Sequence, residues 1–265
     1  MSATLIAVLF ALALGHLAPG LAMSVRRYDW FGVWLRWLDA RFGDGIGFWR
    51  GRYGIALALL PPLLVIGLFQ FALRSPLAGV VGLLFAVAVL FYVWGPRDLD
   101  ADVSAVIDAE NAEARRDAAA RLGADPRSGL GEAAAMVEGA FASALRRWFG
   151  VLFWFLLLGA VGAVLYRIAA LAAEGEFADS LPESTREGAR SFFALLNWPV
   201  AQAMTLSLAL VGNFDTVLGA WRDAGGASMR TDQAFLGASA RASVRCEIAE
   251  ETREFIEEGA TPGNA

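Results

Sequence analysis

The sequence contains no lysine, one cysteine (Cys246) and one histidine (His16) among its 265 residues. A single cysteine excludes an intrachain disulfide framework, and one cysteine with one histidine cannot supply the ligands of a structural zinc site. Charged residues are also scarce, at 18%, where ordinary soluble domains have about 25%. Hydrophobic residues make up 57% and the mean hydropathy is +0.50, which excludes a disordered chain. These values indicate a helical integral membrane protein.

Five apolar stretches have roughly the 20 residues that an α-helix needs to cross the hydrocarbon core of a bilayer. These stretches are 4–23, 54–73, 76–94, 148–171 and 194–212. We interpret the first as a retained span and not as a cleaved signal peptide, because no lysine or arginine precedes Arg26. Pro61 and Pro62 are expected to kink the second. The fifth stretch is interrupted by the polar residues Asn197 and Gln202, so the predicted number of spans is four to five. The sequence thus predicts an all-α, multi-pass transmembrane bundle.

The distribution of arginine predicts the orientation of these spans. Positively charged loops resist translocation, so the arginine-rich segments 24–53 and 95–147 are expected in the cytoplasm. The segment 172–193 is then expected outside, and Arg167 near the outer end of the fourth span. No basic patch interleaved with aromatic residues indicates a nucleic-acid partner.

The segment 28–42 is rich in tryptophan and has a helical pattern. Trp30, Trp34, Trp37 and Leu38 fall on one face of a helix, and charged residues lie elsewhere. Such a helix either lies in the membrane plane with its aromatic face in the lipid, or packs on the bundle. The sequence leaves both interpretations open.

Two polar regions complete the chain. Segment 96–147 is predicted to form helices over 102–122 and 132–147, which together cap the cytoplasmic face of the bundle; the second helix runs directly into the fourth span. Residues 232–257 are predicted to form a polar helix, followed by a disordered end at 259–265. The predicted organisation is therefore a membrane bundle over 1–221, including the insertion 96–147, and a polar tail over 222–265.

One block of the sequence resembles a known membrane family. Residues 132–167 carry the run Leu152-Phe153-Trp154, then Gly159-x-x-Gly162-Ala163, then Tyr166-Arg167. This pattern is similar to the AmpE family and to the related CobD/CbiB enzymes of cobalamin synthesis. A later block, 197–221, also resembles the second half of AmpE proteins. The resemblance implies a bacterial inner-membrane protein with a periplasmic N-terminus and mostly cytoplasmic loops, linked to control of β-lactamase induction and peptidoglycan recycling.

The enzyme branch of this family carries acidic pairs that the present chain lacks. Aligned on Trp154, the family's Val-Glu pair survives at 137–138, but its Glu-Asn pair falls on Ala142-Ser143 and its Asp-Gly pair on Arg146-Arg147. ATP-driven amide synthesis needs carboxylates to hold Mg²⁺, and alanine or arginine cannot do so. We therefore expect no catalytic residue, no metal and no cofactor. A divergent CobD/CbiB-like amide synthase and a transporter of small molecules or cell-wall fragments are the alternatives.

Five polar residues of the cytoplasmic region are candidates for ligand contact. They are Glu138, Arg146 and Arg147 near the fourth span, and Asn111 with Arg115 one helical turn apart. Each also has a plain structural explanation, as an ion pair, a membrane-edge anchor or a solvated face. The expected partners are membrane lipid, a small-molecule or cell-wall-fragment ligand, and a protein of the β-lactamase induction pathway. The sequence does not indicate an oligomeric state.

Overall fold

The computed structural model describes residues 2–17, 26–43, 47–73, 79–94, 99–124, 132–228 and 233–257. Regular structure in these ranges is helical throughout, with no strand, and this confirms the predicted all-α class. The predicted disordered end at 259–265 lies outside them. The helices are α1 (Ser2–Leu17), α2 (Asp29–Phe42), α3 (Ile55–Ala72), α4 (Gly79–Val93), α5 (Leu99–Ile107), α6 (Ala112–Arg121), α7 (Glu132–Ala144), α8 (Gly150–Leu158), α9 (Ala160–Ala173), α10 (Glu176–Asp179), α11 (Glu183–Val211), α12 (Phe214–Asp223) and α13 (Ala234–Glu257).

Three helical segments within the described ranges are long and apolar enough to cross a membrane. They are Ile55–Ala72, Ala133–Leu158 and Glu183–Val211. The apolar segments Leu5–Leu14, Gly79–Val93 and Ala160–Ala173 are shorter. The chain therefore has the character of a membrane protein, and a count of four to five spans stays a prediction.

Two further predicted helices have different bounds in the structure. The predicted helix over 102–122 is two helices, α5 and α6, because Asn111 leaves the helical conformation and caps the start of α6. The predicted polar helix in the tail is confirmed as α13.

The chain divides into two compact units. Unit 1 comprises 1–96 and 146–196, and unit 2 comprises 97–145 and 197–265. This division differs from the predicted boundary after residue 221, because both polar regions fall in one unit. The segment from Glu132 to Leu158 is helical throughout, with a π-helical turn at Leu145–Phe149 where the chain passes from unit 2 to unit 1.

In unit 1 the predicted fourth span, 148–171, is a tight helical hairpin. Gly159 has φ +72° and ψ −149°, so α8 ends there and α9 begins at the next residue. Gly150 lies against the ring of Tyr166, and Gly162 against the backbone of Trp154. Both pairs are centred on residue 158, whereas one straight helix would hold residues 150 and 166 about 24 Å apart. The prediction of a single continuous span here is wrong, because the chain folds back on itself.

The hairpin changes which segments lie at the same end of unit 1. Thr185 donates a hydrogen bond to the carbonyl of Trp49, and Arg52 Nη2 donates to Ser191 Oγ at 3.0 Å. The start of α11, within the segment 172–193, therefore lies beside residues 49–52. This is the end of unit 1 opposite the Gly159 turn. The expectation that 172–193 and 24–53 lie on opposite sides is not met.

Helix α2 packs within unit 1 through a face that shares Leu38 with the predicted tryptophan face. Its most deeply buried large residues are Phe31, Leu35 and Leu38, spaced as one helical face. Trp30 and Trp37 are 42% and 51% exposed, on the neighbouring face. The helix thus packs on the bundle through one apolar face and presents its tryptophans on another.

In unit 2, α13 packs along α7, and α12 packs on α13. The deepest face of α7 is made of small residues, Ala135, Gly139 and Ser143. Gln202 of α11 donates to the carbonyl of Gly226 at 2.6 Å and accepts from Trp221 Nε1 at 2.9 Å. These bonds satisfy a polar side chain of the apolar helix α11 within its own unit.

Candidate functional site

Three of the five predicted ligand residues lie in unit 2, where two have structural partners. Asn111 accepts a hydrogen bond from the Ala114 backbone N–H at 2.8 Å, so its side chain is a helix cap. Arg115 is exposed on the same helix. Glu138 forms an ion pair with Arg241, which joins α7 to α13. These two contacts explain Asn111 and Glu138 as parts of the fold.

The other two candidates, Arg146 and Arg147, lie in unit 1 on the π-helical turn. Arg146 Nη1 pairs with Glu174 Oε1 at 3.2 Å, which ties the base of α8 to the end of α9. Position 143 holds a buried serine whose Oγ donates to the Leu122 carbonyl at 2.7 Å. Ser143 thus forms a buried hydrogen bond and Arg146 an ion pair within the fold.

A site that sequence reasoning missed lies at the C-terminal end of α4, in unit 1. The last carbonyls of a helix have no partner within it and need donors from elsewhere. Arg26 Nε donates to Phe91 O at 3.0 Å, Tyr28 Oη to Tyr92 O at 2.9 Å, and Arg167 Nε to Val93 O at 2.7 Å. Three side chains from two segments therefore complete one helix end, and two of them are cations, which the helix dipole favours there.

Arg167 is the most unusual residue of this site. Only 6% of its surface is exposed, and among the described residues its Nη2 has no hydrogen-bond partner. Its guanidinium interacts electrostatically with Tyr28 and, unfavourably, with Arg26 and Arg147. The expected position near the outer end of a span is wrong, because the returning hairpin brings Arg167 to the end of α4. The signal in the sequence was a lone arginine in an apolar stretch.

An apolar cavity of about 920 Å³ adjoins this cluster within unit 1. Its lining comes from α2, α3, α4 and α9 and is almost entirely apolar. Tyr28 and Val93, which both interact with Arg167, belong to this lining. Val33, Val65 and Trp37 also line it and are more than half exposed, so the cavity opens sideways out of unit 1.

The cavity is bordered by the two prolines of α3. Pro62 has no N–H, so the carbonyl of Ala58 four residues earlier loses its helical partner. Trp34 Nε1 donates to this carbonyl at 3.1 Å. Trp30 Nε1 donates to Tyr92 Oη at 2.8 Å, and Tyr92 donates in turn to the Arg27 carbonyl. The tryptophan face of α2 is therefore held across the cavity by specific hydrogen bonds.

The polar groups at this border can act as donors at neutral pH. Burial raises the pKa of Tyr28 to about 12, so its hydroxyl keeps its proton. Burial lowers the pKa of Arg26, and arginine still remains charged. No group of three or more potential metal-ligating side chains occurs in the described part of the chain. Comparison with protein-family models, curated proteins and solved structures gives no match for this chain.

Proposed function

We propose that the protein is an AmpE-like regulatory or sensory protein of the bacterial inner membrane, without catalytic activity, that acts in β-lactamase induction and peptidoglycan recycling. The observation that carries the proposal is the pair of contacts that Ser143 and Arg146 form. Where the related enzymes carry acidic pairs, Ser143 is bonded to Leu122 O and Arg146 is paired with Glu174. A scaffold with these substitutions retains its packing and has lost the carboxylates that hold Mg²⁺.

The resemblance in 132–167 supports the same proposal through its packing residues. Gly159, Gly162 and Tyr166 of the resembling block form the turn and the contact surface of the hairpin. The residues shared with the family are thus those that build the scaffold. A sensor needs a scaffold and a ligand site, and it does not need the acidic pairs.

A genetic experiment tests the regulatory role. Deleting the gene in a strain with an inducible β-lactamase is expected to change the β-lactamase activity induced by β-lactams, and a plasmid copy should restore it. Unchanged induction across several inducers would contradict the proposal.

A biochemical experiment tests the enzyme alternative. The purified protein in detergent is expected to consume no ATP when it is given cobyric acid and aminopropanol phosphate with Mg²⁺. Formation of the amide product would show that the acidic pairs are dispensable and that the protein is an enzyme.

A pair of variants tests whether Glu138 has a role in signalling. Glu138→Gln removes one charge of the ion pair with Arg241, whose side chains are less than one-third exposed, and should lower the free energy of unfolding by about 1 kcal/mol. The fold should therefore persist, and a loss of induction would assign Glu138 to ligand or partner contact. The matched control is Glu251→Gln, an exposed glutamate of α13. Equal induction in both variants would leave Glu138 a purely structural residue.

A further inference from the structure

We propose that the cavity between α2, α3, α4 and α9 binds the apolar chain of an anionic bilayer phospholipid, with the phosphate headgroup held by Arg167 and Arg26. This inference is independent of the proposed function, because it uses neither Ser143 nor Arg146 and would hold for a sensor, a transporter or an enzyme.

The first step is the buried guanidinium. A buried donor without a partner costs about 1–3 kcal/mol, and more when the group is charged, so each such group in a folded protein needs an explanation. Arg167 uses Nε on the Val93 carbonyl, while its Nη2 has no partner among the described residues. The groups that interact with it electrostatically include Tyr28, which is neutral, Tyr166, and the cations Arg26 and Arg147. An anion at this position would supply the missing acceptor and relieve the repulsion.

The second step is the apolar volume next to this charge. Ligand pockets of proteins measure roughly 300–1,000 Å³, and the present cavity, at about 920 Å³, lies near the upper end of that range. Its walls offer aromatic rings and aliphatic groups, among them Trp34, Phe85 and Ile168. A free phosphate would leave these walls uncovered, and an uncharged apolar chain would leave Arg167 without an acceptor. An amphiphile with a hydrocarbon chain and a phosphate satisfies both.

The third step is the direction from which the ligand enters. The exposed lining residues Val33, Val65 and Trp37 place the opening on the side of unit 1. They adjoin α3, a helix apolar and long enough to cross the bilayer, so the opening faces lipid. Basic pockets beside transmembrane helices are typical binding places for anionic headgroups. The bilayer itself is therefore the source of the ligand.

Native mass spectrometry of the delipidated protein tests this proposal directly. We expect one molecule of phosphatidylglycerol to bind about tenfold more tightly than diacylglycerol with the same chains, which lacks the phosphate, the effect of one charge-assisted contact. Arg167→Leu should remove this preference. Arg41→Gln, a change of an exposed arginine at the end of α2, should keep it. Equal affinity for the two lipids would overturn the proposal.

A second variant separates the ligand site from the folding role of Arg167. Ala88 is exposed and lines the cavity, so Ala88→Phe fills it and leaves every charge in place. This variant should have the thermal midpoint of the wild type and should bind phosphatidylglycerol at least about tenfold more weakly. Wild-type affinity in Ala88→Phe would show that the chain does not occupy the cavity.

Competition identifies the source of the phosphate. Inorganic phosphate at millimolar concentration is expected not to displace the bound lipid, because it gains nothing from the apolar walls. Displacement by phosphate, or tighter binding of an isoprenyl phosphate than of phosphatidylglycerol, would overturn the assignment to a bilayer phospholipid. These measurements use purified protein, whereas the proposed function is tested by induction in cells, so one can fail while the other holds.

Discussion

At the scale of single residues, Trp34 compensates for a backbone hydrogen bond that Pro62 removes. The carbonyl of Ala58 lies at a fully buried residue of a helix that is apolar enough to cross a membrane. An unsatisfied carbonyl in such surroundings costs several kcal/mol in lipid and about 1–3 kcal/mol in a protein interior. The indole N–H of Trp34 reaches this carbonyl from α2 and so fixes α2 against α3.

This compensation predicts an energetic coupling between residues 34 and 62. Trp34→Phe should lower the free energy of unfolding by about 1–3 kcal/mol, because it leaves the Ala58 carbonyl without a donor. In a Pro62→Ala background the restored backbone N–H of residue 62 can donate to the Ala58 carbonyl. Trp34→Phe should then lower the free energy of unfolding by about 1 kcal/mol less than it does in the wild type. Unfolding in detergent, followed by circular dichroism for the four proteins of the cycle, measures the difference.

The control for this cycle is Trp37→Phe. Trp37 stacks on Trp34 with ring centroids 5.2 Å apart and is half exposed. Trp37→Phe should lower the free energy of unfolding by the same amount in the wild type and in the Pro62→Ala protein. Equal coupling of Trp34 and Trp37 to residue 62 would mean that packing, and not the hydrogen bond, joins α2 to α3.

Prediction from sequence was only partly right at the scale of single residues. The predicted helix ran through Asn111, whereas Asn111 caps the start of α6. Pro61 and Pro62 lie within an apolar helix as predicted, and the kink expected there stays a prediction. The acceptors of Arg26, Tyr28 and Arg167 are not visible, because these side chains lie as much as 74 residues from their carbonyl partners. The tertiary fold alone brings them to one helix end.

At the scale of secondary-structure elements, the decisive feature is the turn at Gly159. Hydropathy predicts one apolar stretch over 148–171, and an apolar hairpin has the same composition as an apolar span. The difference depends on one backbone conformation, φ +72° and ψ −149°, which only glycine adopts without strain. Gln70 of α3 then bonds to both sides of the turn, as donor to Leu158 O and acceptor from Val161 N, each at 3.0 Å.

Gly159→Ala should therefore destabilise the protein far more than an ordinary glycine change. We expect a loss of about 1–3 kcal/mol from backbone strain, in addition to crowding by the Gln70 amide 2.9 Å from the new Cβ. The matched control is Gly79→Ala at the start of α4, where a Cβ meets open space. That control should be neutral or slightly stabilising. Thermal unfolding in detergent compares the two, and equal midpoints would contradict the role given to Gly159.

At the scale of the whole chain, the fold class follows from composition, while the arrangement of segments needs the structure. Apolar content and the period of the polar helices predicted an all-helical membrane protein. The unpredicted part is the path of the chain in unit 1, where the start of α11 returns to the end that holds residues 49–52. Thr185 and Ser191 bond there to Trp49 and Arg52, a contact that neither hydropathy nor the distribution of arginine reveals. A single hairpin thus decides which segments lie side by side.

Cysteine labelling tests this path. In a Cys246→Ser background without other thiols, Arg41→Cys and Arg190→Cys introduce one exposed thiol each. Both should react with a membrane-impermeant maleimide from the same face of sealed vesicles, the cytoplasmic one by the arginine distribution. Ser75→Cys, in the connection between α3 and α4, should react from the other face. If positions 41 and 190 were labelled from opposite faces, residues 148–171 would cross the bilayer once, and the hairpin at Gly159 would not be the membrane-embedded fold.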